Sequence, residues 1–237
     1  MEFLLACFIS WLFLLLLIFL CSIKTLHLPG IGLVIAAFIV FSALIKKQEL
    51  GFLVVVVLAW YWFLLHFLPA LAAIAASTAI GYLLIMLYRK TGRWGKNCSV
   101  ALLAALLSAF LWHIVASILN YILIVAVLAV LDYIAVVVGY MQQLLQKLLS
   151  WPSTLWLKED GGRLLVGLGD LVFLDLYYLL CLRLFGLAAI ILYILEIVLC
   201  YFIIKYIILR EESPQPFMPY IAAVQAAGLL AGLIFLK

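Results

Sequence analysis

The chain reads as a succession of long apolar runs separated by short polar breaks, without the period-2 alternation of a half-buried strand. At about 20 residues per membrane crossing, the runs predict helices over 3–22, 30–45, 50–67, 70–88, 99–117, 119–140, 164–183, 186–208 and 218–236. The breaks near Pro69, Asn120 and Arg183 to Gly186 carry little polar punctuation, and fusing one pair of runs there gives eight spans instead of nine.

Basic residues supply an independent check, because cytoplasmic loops carry an excess of Lys and Arg. With nine spans and the N-terminus inside, the inner loops and helix ends hold Lys46, Lys47, Arg89, Lys90, Arg93, Lys96, Lys147, Lys158, Arg163, Lys205 and Arg210. The outer side holds Lys24, Arg183 and Lys237. Adding or removing a span would scramble this 11 to 3 division of the 14 basic residues, so the pattern predicts nine helices, N-in and C-out.

Composition points the same way. Hydrophobic residues make up 71% of the chain, charged residues 10%, and the mean hydropathy is +1.40, against an apolar share of about 45–50% in soluble domains. Only helices and closed barrels satisfy every backbone polar group in lipid, so the expected fold is an all-α polytopic membrane protein. The net charge of +4 is explained by topology and contact with anionic lipid, and no nucleic-acid partner is expected. The first run, beginning MEFLLACF, lacks a basic leader and a small-residue cleavage site before Lys24, which predicts a retained anchor and not a cleaved signal.

The cysteines and histidines carry little chemistry. Cys7, Cys21, Cys181 and Cys200 fall within spans and Cys98 at an inner helix start, an odd count with neither CxxC nor His spacing. They are expected to pack, as are His66 and His113. Neither a metal nor a cofactor is predicted.

Two carboxylates stand apart: Asp132 in AVLAVLDYIAVVVGY and Asp170 in RLLVGLGDLVFL, both at bilayer depth. A charged group at mid-membrane costs roughly 2.5–3.5 kcal/mol on insertion scales. Asp132 lies eight residues before Tyr140 and Asp170 six after Leu164, so at 1.5 Å per residue both sit about 9–12 Å below the inner surface. Antiparallel, consecutive and adjacent helices would bring them level. Two carboxyls at low dielectric share a proton and titrate as a pair; one member can draw a proton from water while the other donates to a peptide carbonyl. The bland alternative is that each is a hydrogen-bonded packing group.

The motifs around them favour the chemical reading. Gly167, Leu168, Gly169 and Asp170 form GLGD, and together with Asp132 and a terminal proline segment this resembles the presenilin and signal peptide peptidase family of intramembrane aspartyl proteases, in its prokaryotic, archaeal type. That family places an aspartate in its sixth span, GxGD in its seventh and a PAL motif at the start of its ninth. After Asp132, Gly139, Tyr140 and Met141 echo the archaeal pattern; the PAL equivalent is Pro216, Phe217 and Met218. The resemblance covers about residues 125–237 by motif, and residues 1–118 in helix number and orientation only. It implies a presenilin-like fold with a scaffold over 1–118 and a catalytic part over 119–237. It also implies a catalytic dyad of Asp132 and Asp170, and a transmembrane peptide as substrate. Leu131, Tyr133, Leu164, Leu165 and Val166 are the substrate contacts to expect. No obligatory protein partner is implied, and the location would be a prokaryotic cell membrane. Leu131 replaces the family's usual tyrosine, and bulky Phe217 a small alanine.

The segment 141–163 is the longest polar break, amphipathic before Pro152, with Trp151 and Trp156 as interfacial anchors. By the resemblance it borders the substrate entrance, where the inner loop before Gly167 offers an edge to which extended substrate adds a strand. Asp175 and Glu196 are further acids at similar depth. Asp175 follows Asp170 by five residues, about 140° around the helix, which predicts a structural contact, as a second pair or with Arg183.

Two other classes stay open. Four acids in spans also suit a proton-coupled transporter, although no repeat or matching broken helices are visible. Prepilin and preflagellin peptidases also use GxGD aspartates, and PFMPYIAAV resembles their C-terminal stretch, but they place another span between the two acids.

Overall fold

In the computed structural model, the described residues are 2–21, 57, 60, 61, 63, 64, 68–91, 93–112, 115, 117–137, 154–159, 162–210 and 215–236. The expected spans at 30–45 and most of 50–67, the amphipathic stretch up to 153, and His66 and His113 lie outside them. Seven helices are delimited: α1 (Glu2–Cys21), α2 (Ala70–Thr91), α3 (Arg93–Trp112), α4 (Ile118–Val137), α5 (Leu168–Phe185), α6 (Ala189–Tyr206) and α7 (Met218–Phe235). Each matches an expected apolar run. Among the described residues one hairpin, β1 (Thr154–Glu159) with β2 (Gly162–Gly167), precedes α5.

The soft breaks have local causes. Pro69 accepts the Ala73 N–H at 2.9 Å and starts α2, as suits a residue with fixed φ and no donor of its own. The break expected at Asn120 falls at Ser117, whose Oγ accepts the Asn120 N–H at 3.1 Å and caps α4. Between α5 and α6 the chain reverses through the 3₁₀ turn Gly186–Ala188, with Gly186 at φ 58°, a conformation glycine adopts without a Cβ penalty. The 39-residue apolar stretch Leu168–Tyr206 is therefore a helical hairpin, whose arms of 18 residues each reach about 27 Å at 1.5 Å per residue.

α5 is the central helix. Residues 171–181 are all buried, as happens when a helix is apolar on every side. α1, α3, α6 and α7 surround it. α3 presents Ala101, Ala104, Ala105 and Ser108, small side chains that permit close approach. On α7 the same role falls to Gly228 and Gly232, a GxxxG pair: a Cβ at 228 would collide with the Tyr177 hydroxyl, and one at 232 with the Phe185 ring.

The outward faces are apolar too, with Phe8 and Leu12 on α1, Leu123 and Val127 on α4, and Leu195 and Phe202 on α6 all exposed. The stretches Leu168–Tyr206 and Met218–Phe235 are long and apolar enough to cross a membrane. Exposed apolar surface of this extent fits a lipid environment.

Two expectations need correction. Residues 164–167 are strand, not the first turn of a helix, so Leu164, Leu165 and Val166 belong to β2, opposite Leu157, Trp156 and Leu155. The helix expected from 164 begins at Leu168, and Asp170 stands in its first turn. Further, among the described residues α4 packs mainly along α7, which in turn lies on α5 and α6, and it meets α5 through the Tyr121 hydroxyl, which donates to the Phe173 carbonyl at 3.4 Å.

Candidate functional site

GLGD is a strand-to-helix junction. Gly167 ends β2 and serves as N-cap of α5 in extended conformation (φ −74°, ψ 155°), and Asp170 at the third helical position turns back so that its Oδ2 accepts the Gly167 N–H at 2.8 Å. That is half of a capping box: an orphan amide donor is satisfied by a first-turn acid, which also complements the positive end of the helix dipole. A Cβ on Gly167 would lie 3.4 Å from Asp170 Oδ2, and one on Gly169 would meet nothing within 4 Å. Gly169 is thus exposed, with Leu168 and Asp170 partly buried to either side.

Asp132 sits near the C-terminal end of α4 against the start of α7. The Met218 N–H donates to its Oδ2 at 3.0 Å, and the Phe217 amide is directed at the same carboxyl. Pro216, Phe217 and Met218 are buried and together form the entrance to α7, with Pro219 following inside its first turn. The unpaired amides of a helix N-terminus are ready donors to a carboxylate. Phe217 turns away, its ring meeting Phe3 of α1 edge-on at 6.2 Å between centroids.

Asp132 meets the start of α7 and Asp170 stands in the first turn of α5, and these two helices run side by side in the same direction, so both carboxyls lie at the same end of the bundle. Both are partly buried. Leu131 and Tyr133, one residue to either side of Asp132, are exposed at 55% and 56%, so they face outward from α4 while Asp132 faces α7. Val166 is buried in the core. The hairpin delivers β2 directly into Gly167, which places a strand edge immediately before Asp170.

Asp175 and Glu196 lie elsewhere, in a buried polar chain along the middle of the bundle. Asp175 accepts from Ser10 Oγ at 2.5 Å and from Tyr193 OH at 2.9 Å, and Ser10 also reaches the Ala101 carbonyl at 3.0 Å. Gln225 Nε2 donates to Glu196 Oε1 at 2.6 Å and to the Phe173 carbonyl at 3.2 Å, while Tyr121 OH donates to Gln225 Oε1 at 2.6 Å. Glu196 Oε2 is buried without a partner among the described residues. Ser10, Tyr193, Tyr121 and Gln225 stand outside what the sequence pattern singles out; the only signal for them is a polar atom in an apolar run. Cys7, Cys181 and Cys200 are buried free thiols.

No protein-family model matches the chain, and no curated protein or solved structure is significantly similar to it.

Proposed function

We propose that this protein is an intramembrane aspartyl protease: a nine-span, N-in and C-out enzyme of the presenilin-like type, set in a prokaryotic cell membrane, that hydrolyses peptide bonds within the transmembrane helices of single-span proteins or signal-peptide remnants. The observation that carries this reading is the convergence of Asp132 and Asp170 at one end of the bundle, each anchored by backbone amides at a helix start. Anchoring through main-chain donors fixes a carboxyl's position while leaving lone pairs for water, since a carboxylate offers about four acceptor sites.

Water held between the two carboxyls would lose a proton to the ionised member as it attacks the scissile carbonyl, while the protonated member donates to the carbonyl oxygen. No covalent intermediate is required. The base and acid roles belong to the pair and not to either residue alone. A substrate helix must unwind before its backbone reaches this position, and the hairpin edge ahead of Gly167 gives the unwound segment main-chain partners. Leu131 and Tyr133 flank the approach from the side of α4.

The test is to incubate purified wild-type, Asp132→Ala and Asp170→Ala proteins in detergent with a panel of single-span substrates and to map fragments by mass spectrometry. Cleavage inside the apolar span, absent in both variants, is the expected result. Cleavage confined to a basic membrane-proximal junction would point to a prepilin-type peptidase. Intact substrates together with pH-coupled flux in vesicles would replace the protease with a transporter.

A further inference from the structure

The helices that carry the two aspartates meet chiefly through α7, with one direct hydrogen bond from the Tyr121 hydroxyl to the Phe173 carbonyl at 3.4 Å, so a small set of buried polar contacts sets their relative register. α7 lies between them. Its first amide meets Asp132, and two turns further along the same helix its buried Gln225 makes three hydrogen bonds to three other helices. Gln225 accepts from Tyr121 of α4, the helix of Asp132. It donates to the carbonyl of Phe173 of α5, three residues beyond Asp170, and to Glu196 of α6. Tyr121, Glu196 and Gln225 are 1%, 2% and 1% exposed.

We infer that Gln225 is a positioning residue, which with Tyr121 and Glu196 forms a buried clamp fixing Asp132 and Asp170 at a working separation. The chemistry suits the task. A primary amide is both donor and acceptor, so one side chain can lock a hydroxyl on one helix and a carbonyl and a carboxyl on two others. Buried polar contacts of this kind specify register because every shifted alternative leaves polar atoms unpaired. Apolar side chains on the same helices slide past one another with little penalty. The clamp touches neither substrate nor water; it acts through α4 and α5.

The inference rests on the protease reading for its effect on turnover, but the geometry it asserts can be measured without catalysis. With the native cysteines replaced by alanine, Asp132→Cys and Asp170→Cys are combined in the full-length protein, and oxidative cross-linking of the pair is followed in detergent. Adding Gln225→Leu, which removes all three bonds at similar volume, is expected to reduce the cross-linking rate severalfold. Tyr121→Phe deletes the contacts to Gln225 and to the Phe173 carbonyl with the ring retained, and serves where Gln225→Leu does not yield a monodisperse protein. Glu196→Gln keeps an acceptor oxygen for the Gln225 amide and should restore the wild-type rate.

In the enzyme with both aspartates intact, Tyr121→Phe and Gln225→Leu should lower kcat with KM unchanged, by up to about 100-fold for a displacement near 1 Å, and Glu196→Gln should not. Cross-linking unchanged in both Tyr121→Phe and Gln225→Leu would overturn the clamp. A rise in KM at constant kcat would overturn it as well, since the residues would then act on substrate binding. If wild-type protein cleaves nothing, the protease reading falls while the cross-linking result still decides the clamp.

Discussion

Four acids within the described helices, Asp132, Asp170, Asp175 and Glu196, divide into two environments. Asp132 and Asp170 sit at the end of the bundle, partly buried, held by backbone amides at helix starts. Asp175 and Glu196 sit mid-helix, only 1% and 2% exposed, and are held by side chains from other helices: Ser10 and Tyr193 for the first, Gln225 for the second. A carboxyl bound by main chain at an open end keeps capacity to bind water. Asp175, with both oxygens engaged inside the core, is a structural cross-link between α1, α5 and α6. Depth in the membrane alone does not distinguish the two pairs; what distinguishes them is the kind of donor and the space beside it.

Replacement of the end pair should therefore abolish activity with little loss of fold. Asp170→Asn and Asp132→Asn keep size and hydrogen bonding, and each is expected to reduce cleavage by about 10²–10⁴-fold, the range for loss of a positioned acid or base, with unchanged thermal unfolding in detergent. A retained rate in either would erase the distinction drawn above. Asp175→Ala should do the reverse, orphaning the buried Tyr193 hydroxyl and destabilising the protein by about 1–3 kcal/mol. The check is a lowered unfolding midpoint, with cleavage per folded molecule within a fewfold of wild type.

Gly228→Leu tests the wall between the two environments, because its side chain must displace the Tyr177 hydroxyl from between α5 and α7. Overpacking of this kind destabilises by about 1–3 kcal/mol and should loosen Asp132 along with α7. Smallest is Phe217→Ala, which removes the edge-on contact with Phe3, worth about 0.5–1.5 kcal/mol beyond buried area. Cleavage should persist, since the ring packs on α1 and the Asp132 contact belongs to the backbone.

Helix positions were legible because apolar length alone sets them in lipid, and the residues of the candidate site were legible because carboxylates are rare there. The strand at 162–167 was not, since RLLVG is a short apolar run that reads equally as helix or strand. Neither was the placement of α4 beside α7. Consecutive helices were assumed to be neighbours, while the surfaces that decide packing, Gly228 and Gly232 on α7, gave no sign of which partner they would accept. Ser10 and Gln225 were invisible for a related reason: each is a lone polar residue whose partner lies 165 and 104 positions away in the chain.

The amide that anchors Asp132 belongs to Met218, 86 residues downstream. During synthesis α4 and α5 therefore emerge and insert well before the donor exists, and the Asp132 carboxyl spends that interval without its final partner. Completion of α7 is what brings Asp132 its amide donor, so a ribosome-bound chain that ends short of α7 carries both aspartates and no finished site.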